Sequence, residues 1–252
     1  MSQNGRETKA ERKERARRER LALEAKAKQG KRTRTIALGT AAVVVVAVVA
    51  YVATRPTPPP PAPEGLDALL ASATAAATSA GCGEVQTVGA YQPDSLDRSH
   101  VGGADLPEMP ALATYPSIPP TSGPHDPSVL AAGVYDSAPD LGTALHSLEH
   151  GGTIVFYDPE APESAIRSLT DLYIREDLAG ERVIVAPYDY PDEGAAGLLP
   201  AGTQMALVAW HHLQTCTSVD PAAAFGFTAR YSFPTYTGET YLGDAPEPGA
   251  QM

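Results

Sequence analysis

The sequence has no lysine after Lys31, and its only two cysteines are Cys82 and Cys216. They do not form a C-x-x-C motif, which argues against thiol–disulfide exchange. The paired glycines at 102–103 and 151–152 lack the context of a phosphate-binding loop, which argues against nucleotide binding. No Ser/His/Asp triad and no pair of catalytic carboxylates can be recognised from spacing alone. These absences argue against several common classes of enzyme.

Positive charge is concentrated at one end of the chain. Residues 1–34 carry 13 Lys or Arg and 5 Asp or Glu, whereas the remaining residues carry 6 and 25. An uncharged, Ala- and Val-rich run over 36–53 follows the basic end. As a helix it would be about 27 Å long, close to the thickness of the hydrocarbon core of a bilayer. The charge difference predicts that the basic end stays in the cytoplasm and the rest lies outside.

These patterns divide the chain into five regions. We expect a basic cytoplasmic tail over 1–35, one transmembrane helix over 36–54, a Pro-rich linker over 55–64, an extracytoplasmic domain over 65–239 and a disordered tail over 240–252. The expected location is the cell membrane, as a single-pass protein. A cleaved signal peptide is the alternative for the apolar run, although its basic region would be unusually long.

The basic tail is interpreted as a surface that contacts the lipid bilayer. Its Lys and Arg residues alternate with Glu, and it has no apolar stripe that would pack against a core. Binding to nucleic acid is not expected, because glutamates are interspersed and aromatic side chains are missing.

The two cysteines predict a disulfide bond. An extracytoplasmic location permits disulfide formation, and an even number of cysteines suits it. A bond between Cys82 and Cys216 would close a long loop, which is worth about 4–5 kcal/mol by the chain-entropy estimate. Two buried free thiols, or one reactive thiol, are the alternative.

The pattern of the domain predicts an α+β fold. A helix is expected over 66–80; further on, strands are expected over 153–157, 182–186 and 205–210, and helices over 162–178 and 220–231. This order predicts a small mixed sheet with helices packed on it, a β-α-β-β-α core preceded by one transmembrane helix and a Pro-rich linker. Thioredoxin-like and ferredoxin-like halves both share that order.

The most informative stretch is residues 146–152, with the sequence His-Ser-Leu-Glu-His-Gly-Gly. On a helix, His146, Glu149 and His150 would share one face, because positions i, i+3 and i+4 are neighbours. Gly151 favours the left-handed conformation that ends a helix. The motif is therefore expected on the last turn of a short helix, directly before a strand. Upstream, a loop with four prolines presets the position of His125.

Several motifs together resemble the actinobacterial domain-of-unknown-function family 3105. They are residues 119–125 (Pro-Pro-Thr-Ser-Gly-Pro-His), 133–135 (Gly-Val-Tyr) and 146–151, and the resemblance covers roughly 80–235. It implies a membrane-anchored, extracytoplasmic domain of uncharacterised function and supplies no reaction. Gly152 departs from the pattern, where a larger residue is expected.

The first functional hypothesis is a metal site. His146 and His150 would bind one ion from a single helical turn, His125 would be a third ligand, and Glu149 would bind the ion or orient an imidazole. Imidazole ligands suit a copper or zinc ion, and Cu(II) is favoured by the Irving–Williams order. Met109 and Met205 are weak candidates for soft sulfur ligands.

Two other hypotheses stay open. The histidines could be structural, within a non-catalytic module that binds a cell-envelope protein. Alternatively, His-x-x-Glu-His matches the inverted zinc-peptidase motif, with Glu149 as general base. The glycines that stop the helix, and the lack of a third ligand on a second long helix, weigh against a peptidase. The adjacent pair at 211–212 is a minor candidate for the metal site, and His100 is read as a loop residue.

Overall fold

The computed structural model describes residues 65–102, 105–175, 178 and 181–252. The expected basic tail, transmembrane helix and Pro-rich linker all lie outside these residues. Within them, no helix combines the length and the apolar character needed to cross a membrane.

The helices are α1 (Leu66–Ser79), α2 (Leu141–Glu149), α3 (Glu163–Tyr173) and α4 (Pro221–Tyr231), beside short 3-10 turns. The strands are β1 (Gln86–Thr87), β2 (Gly133–Val134), β3 (Thr153–Tyr157), β4 (Val183–Pro187), β5 (Met205–Ala209) and β6 (His212–Cys216).

The six described strands form one mixed sheet in the order β1-β6-β5-β3-β4-β2. Strand β3 pairs in parallel with β4, to which it is connected through α3, and pairs with β5 in antiparallel fashion. Strands β5 and β6 form a hairpin. Because β3 and β4 are adjacent, the order β6-β5-β3-β4 corresponds to the thioredoxin-like arrangement and not to the ferredoxin-like one. The expected α+β class is confirmed.

The strand β6 was missed by the sequence analysis, which placed only one strand after β4. Its residues are mostly polar, and only Leu213 and Cys216 are buried. A turn at Trp210 and His211 joins it to β5, and His211 takes a positive φ of 58°. Two buried residues three positions apart are a weaker signal in sequence than the continuous apolar run of β5. The expected helix over 162–178 is also shorter in the structure, where α3 ends at Tyr173.

One face of the sheet is covered by α1, α3 and α4. Val155, Val185 and Leu207 point to this face and are fully buried. The helices α1 and α4 approach each other closely at Gly226, which has no side chain. A Cβ atom built on Gly226 would lie 2.4 Å from the Cβ of Ala73. Asp220 caps α4 by accepting hydrogen bonds from two backbone amides in its first turn, as its sequence predicts.

A disulfide bond between Cys82 and Cys216 ties the segment after α1 to β6. This confirms the predicted pairing. The bond spans 134 positions of sequence, so it links the start of the domain to the far end of the hairpin.

The opposite face is covered by α2 and by irregular segments. Leu145 and Leu148 of α2 are fully buried against Ile154 and Phe156 of β3. Asp140 begins the helix by accepting a hydrogen bond from the backbone amide of Thr143. Much of the remaining cover consists of loops between β1 and α2.

Residues 240–252 also cover this side, whereas the sequence analysis expected a disordered tail. The amides of Glu247 and Gly249 donate to the carbonyls of Glu149 and His150, at 3.0 and 3.1 Å. The guanidinium of Arg182 donates to two further carbonyls of the segment. The carbonyls at the end of α2 lack helical partners, and the segment satisfies them. Composition alone does not reveal such acceptors.

Candidate metal centre

The end of α2 brings two of the expected ligands into the interior. His146 and Glu149 are 6% and 3% exposed, because the apolar residues of the same helix hold it against the sheet. The helix ends at Glu149, and Gly151 follows with a φ of +87°. The left-handed glycine turns the chain directly into β3, as its position in the sequence predicts.

His125 comes from the proline-containing loop and is completely buried. The hydroxyl of Tyr115 fixes this loop by donating to the carbonyl of Pro124 at 2.6 Å. The backbone of His125 pairs with an earlier segment: its amide donates to Ser99 O, and its carbonyl accepts from Val101 N. This pairing places His100 directly beside His125.

His100, His125, His146 and Glu149 form a cluster that we call the group of four. Each offers one ligand atom, and these four atoms lie within 4.8 Å of one another. The ring centroids of the three histidines are 4.9–5.2 Å apart. Tetrahedral zinc with ligands at about 2.1 Å needs ligand atoms about 3.4 Å apart, so each atom would have to move inward by less than about 1 Å.

The two buried imidazoles are oriented by backbone carbonyls. Nδ1 of His125 lies 2.7 Å from Gly123 O, and Nδ1 of His146 lies 2.9 Å from Asp126 O. A carbonyl only accepts, so each Nδ1 carries the proton and donates. In the neutral ring, each Nε2 then has a lone pair that is free to bind a cation. The Nε2 atoms lie 3.1 Å (His125) and 3.9 Å (His146) from Glu149 Oε2.

Among the residues that the structure describes, Nε2 of His125 has no hydrogen-bond partner, although it is buried. It lies 3.1 Å from Glu149 Oε2, but in the neutral ring, with the proton on Nδ1, it has no proton to donate to that oxygen. A buried polar atom without a partner is costly, and native structures keep such atoms chiefly where they serve a purpose. Here the unpartnered atom lies within 4.8 Å of the ligand atoms of the other three members of the group of four.

The charges within the group also suit a cation. Burial alone would raise the pKa of Glu149, whereas its hydrogen bond and ion pair with Arg98 lower it, and the net shift is downward. Burial lowers the pKa of His146, and the imidazoles of His125 and His150 lower it further. At neutral pH the centre therefore presents a carboxylate and a neutral His146. Metal ions bind these protonation states.

Arg98 contacts the other oxygen of the same carboxylate. Its Nε donates to Glu149 Oε1, and its NH2 group donates to Glu247 at 2.6 Å. Half of the Arg98 side chain is exposed. Glu149 thus turns Oε2 toward the histidines while Oε1 faces the guanidinium. One oxygen can bind a metal ion without loss of the ion pair.

His150, the fourth expected ligand, does not join the group. Its Nδ1 donates to the carbonyl of Gln251 at 2.6 Å, and its Nε2 lies 3.8 Å from Glu247 Oε2. Its ring contacts that of His146, with 4.5 Å between the centroids. The inverted zinc-peptidase motif needs both of its histidines on the metal. The arrangement around Glu149 differs from that requirement.

His100 is the member that the sequence analysis missed. It lies 25 positions before His125, and the two meet through backbone pairing between loops. No local spacing rule relates them. The residue type was the one available signal that could have made His100 a candidate.

A second polar cluster lies at the turn between β5 and β6. Nε2 of His211 donates to Asp97 Oδ2 at 2.9 Å, and the hydroxyl of Ser122 donates to Asp97 Oδ1 at 2.7 Å. The hydrogen bond with Asp97 raises the pKa of His211. Asp244 lies 3.6 Å from His211 and 3.4 Å from His212. Neither His211 nor His212 belongs to the group of four.

Comparison with known proteins gives one match. Residues 108–245 match a family described as "Protein of unknown function (DUF3105)". The matched range contains His125, His146 and Glu149 but not His100. No curated protein and no solved structure matches the chain significantly.

Proposed function

The chain belongs to the DUF3105 family, whose function is unknown, and we propose that it binds one divalent transition-metal ion at the group of four. Glu149 Oε2 and the Nε2 atoms of His125 and His146 supply three buried ligands. His100 supplies the fourth.

The orientation of the buried imidazoles is the observation that carries this proposal. Metal-binding histidines generally donate their second ring N–H to a carbonyl or carboxylate, which fixes the ring and its protonation state. His125 and His146 both do so, and the unpartnered Nε2 of His125 needs a bond that the described residues do not provide.

The ligand types favour Cu(II) or zinc. Imidazole nitrogen suits both ions, and carboxylate oxygen also binds zinc. Both cysteines are held in the disulfide, so no thiolate is available for Cu(I). Met205 is fully buried in the core on the opposite face of the sheet, away from the group. Between the two ions, the Irving–Williams order favours copper.

We also propose that this domain works outside the cytoplasm, attached to the cell membrane by a transmembrane helix over 36–54. The charge difference across that segment supports this orientation. The disulfide supports it as well, because such bonds persist in oxidising compartments. The lipid bilayer and a cell-envelope protein are the proposed partners.

Elemental analysis of the full chain, purified in detergent without a histidine tag, tests the metal site. About one equivalent of zinc or copper is expected per chain, because one tetrahedral site is present. His125→Ala and His146→Ala should lose it. His212→Ala is the matched control, because His212 is a histidine outside the group, and it should keep the metal. A folded wild-type chain that binds neither zinc nor copper would contradict the proposal.

A structural role for the histidines is the second candidate, and one observation favours it. Nδ1 of His150 joins the end of α2 to the segment 240–252 through Gln251 O, and this bond needs no metal. Within a non-catalytic envelope-binding module, His125 and His146 would similarly join loops. In that case His125→Ala would destabilise the fold equally in the presence and absence of metal.

A further inference from the structure

His100 differs from the other members of the group of four in its exposure. His125, His146 and Glu149 are 0%, 6% and 3% exposed, whereas His100 is on the surface. A metal ion at this position would therefore be enclosed by protein on three sides. On the fourth side it would be reached from solvent past a single imidazole.

His100 also differs in how its side chain is held. The rings of His125 and His146 are each fixed by a hydrogen bond from Nδ1 to a carbonyl. Within the described residues, the ring of His100 has no such bond, and it contacts the rings of His125 and His146. Its backbone is fixed by pairing with His125. The ring can therefore rotate away while the loop stays in place.

We propose that His100 is an exchangeable ligand, through which the site takes up and releases its metal ion. The inference rests on the metal site proposed above. In the exchange, a lone pair on an incoming ligand forms a bond to the metal as the bond to the ring nitrogen of His100 breaks. No electron is transferred, and the released imidazole is neutral.

The incoming ligand is a neutral imidazole, presented by a metal-donating or metal-accepting protein. An imidazole has the size and donor atom of the ring that it replaces. It also adds no negative charge beside Glu149, which already supplies one. A buried three-ligand site with one replaceable imidazole fits the transfer of an ion between proteins better than permanent storage.

Metal release to a chelator tests this inference on the full chain, with free imidazole as the probe. Release from the wild-type chain should accelerate as imidazole is added. His100→Gly should still bind one ion, at least about tenfold more weakly. Added imidazole should restore its affinity and shift the visible spectrum of its Cu(II) complex. His125→Gly is the matched control, and imidazole should not rescue it, because position 125 is closed to solvent.

The outcomes separate the two proposals. A wild-type chain that binds no metal overturns the metal site itself. A wild-type chain that binds metal, but releases it at a rate independent of imidazole, overturns the exchange role. The same conclusion follows if His100→Gly binds metal as tightly as the wild type, or loses it without rescue by imidazole.

Discussion

The two faces of the sheet are built on different principles. The face beneath α1, α3 and α4 is closed by regular helices, small side chains and a disulfide bond. The face that carries the group of four has one short helix, and loops and polar contacts complete it. Apolar burial holds the first face together. The second has an apolar cluster beneath α2 as well, but its loops are held by individual hydrogen bonds and ion pairs, each directed at a particular atom.

This difference separates stability from metal binding. Changes on the face beneath α1, α3 and α4, here called the helical face, should alter the free energy of unfolding and leave the metal site intact, because the group of four lies on the other side of the sheet. Changes on the face that carries the group of four, here called the loop face, should alter both the free energy of unfolding and metal binding. Four variants test that division, in order of decreasing effect on stability.

Removal of the disulfide should have the largest effect. Cys82→Ala combined with Cys216→Ala should lower the free energy of unfolding by about 2–5 kcal/mol, because the unfolded chain regains the freedom that the bond removes. Urea unfolding measures this, and reduction of the wild type should reproduce it. The folded double variant should still bind its metal ion. Loss of metal from a folded variant would show that the two faces are not separate.

Glu149→Gln should cost about 2 kcal/mol in the metal-free protein. It removes a buried charge that faces Arg98, and the loss is smaller than for a fully buried pair because Arg98 is half exposed. The same substitution should abolish tight metal binding, as titration calorimetry would show. Glu163→Gln is the control, since Glu163 is exposed and paired on α3. Unchanged stability together with unchanged metal affinity would show that Glu149 is not a metal ligand.

Gly226→Ala should cost about 1–2 kcal/mol, because the added methyl group meets the Cβ of Ala73, which cannot move aside. Ala73→Gly introduced together with it should recover much of the loss. Thermal unfolding of the two variants measures this coupling. Metal affinity should be unchanged in both. A Gly226→Ala variant as stable as the wild type would mean that α1 and α4 can separate at little cost.

His211→Asn should have the smallest effect, about 1 kcal/mol, since the lost hydrogen bond is partly exposed to solvent. Asparagine tolerates the positive φ at this turn, so backbone strain does not confound the result.

The effect of His211→Asn should depend on pH. The pKa of His211 is raised by Asp97, with a smaller contribution from Asp244. Its stabilisation is therefore complete below its ordinary pKa of 6.5 and is lost as pH rises through the higher folded value. The pKa of Asp97 is lowered, so its contribution is lost only below its ordinary value of 3.8. The difference between variant and wild type should be largest between these pH values. A difference that grows above pH 7 would contradict the assignment.

Much of the helical face and of the central sheet could be predicted from local pattern. The strand β3 was expected at 153–157, where it occurs, because a continuous apolar run followed by a helix start is a strong signal. The start of α4 followed from Asp220 and Pro221. The strand β6 could not be recognised, because only two of its five residues are buried and the others are polar.

The loop face was harder to predict, because its contacts join distant parts of the chain. His125, His146 and Glu149 were identified from local motifs, but His100 enters through loop pairing that has no sequence signature. His150 was expected to bind metal because i and i+4 share a helix face. However, α2 ends one residue earlier, and the ring turns instead to Gln251.

The disulfide has a mechanical consequence. Every member of the group of four lies between Cys82 and Cys216. If the chain is pulled at positions 65 and 252, tension crosses the sulfur–sulfur bond and bypasses the loop between the cysteines. That loop spans 134 positions, so the oxidised molecule should extend less than the reduced one by roughly 450 Å at about 3.4 Å per residue. Oxidation state would thus decide whether a pulling force reaches the histidines.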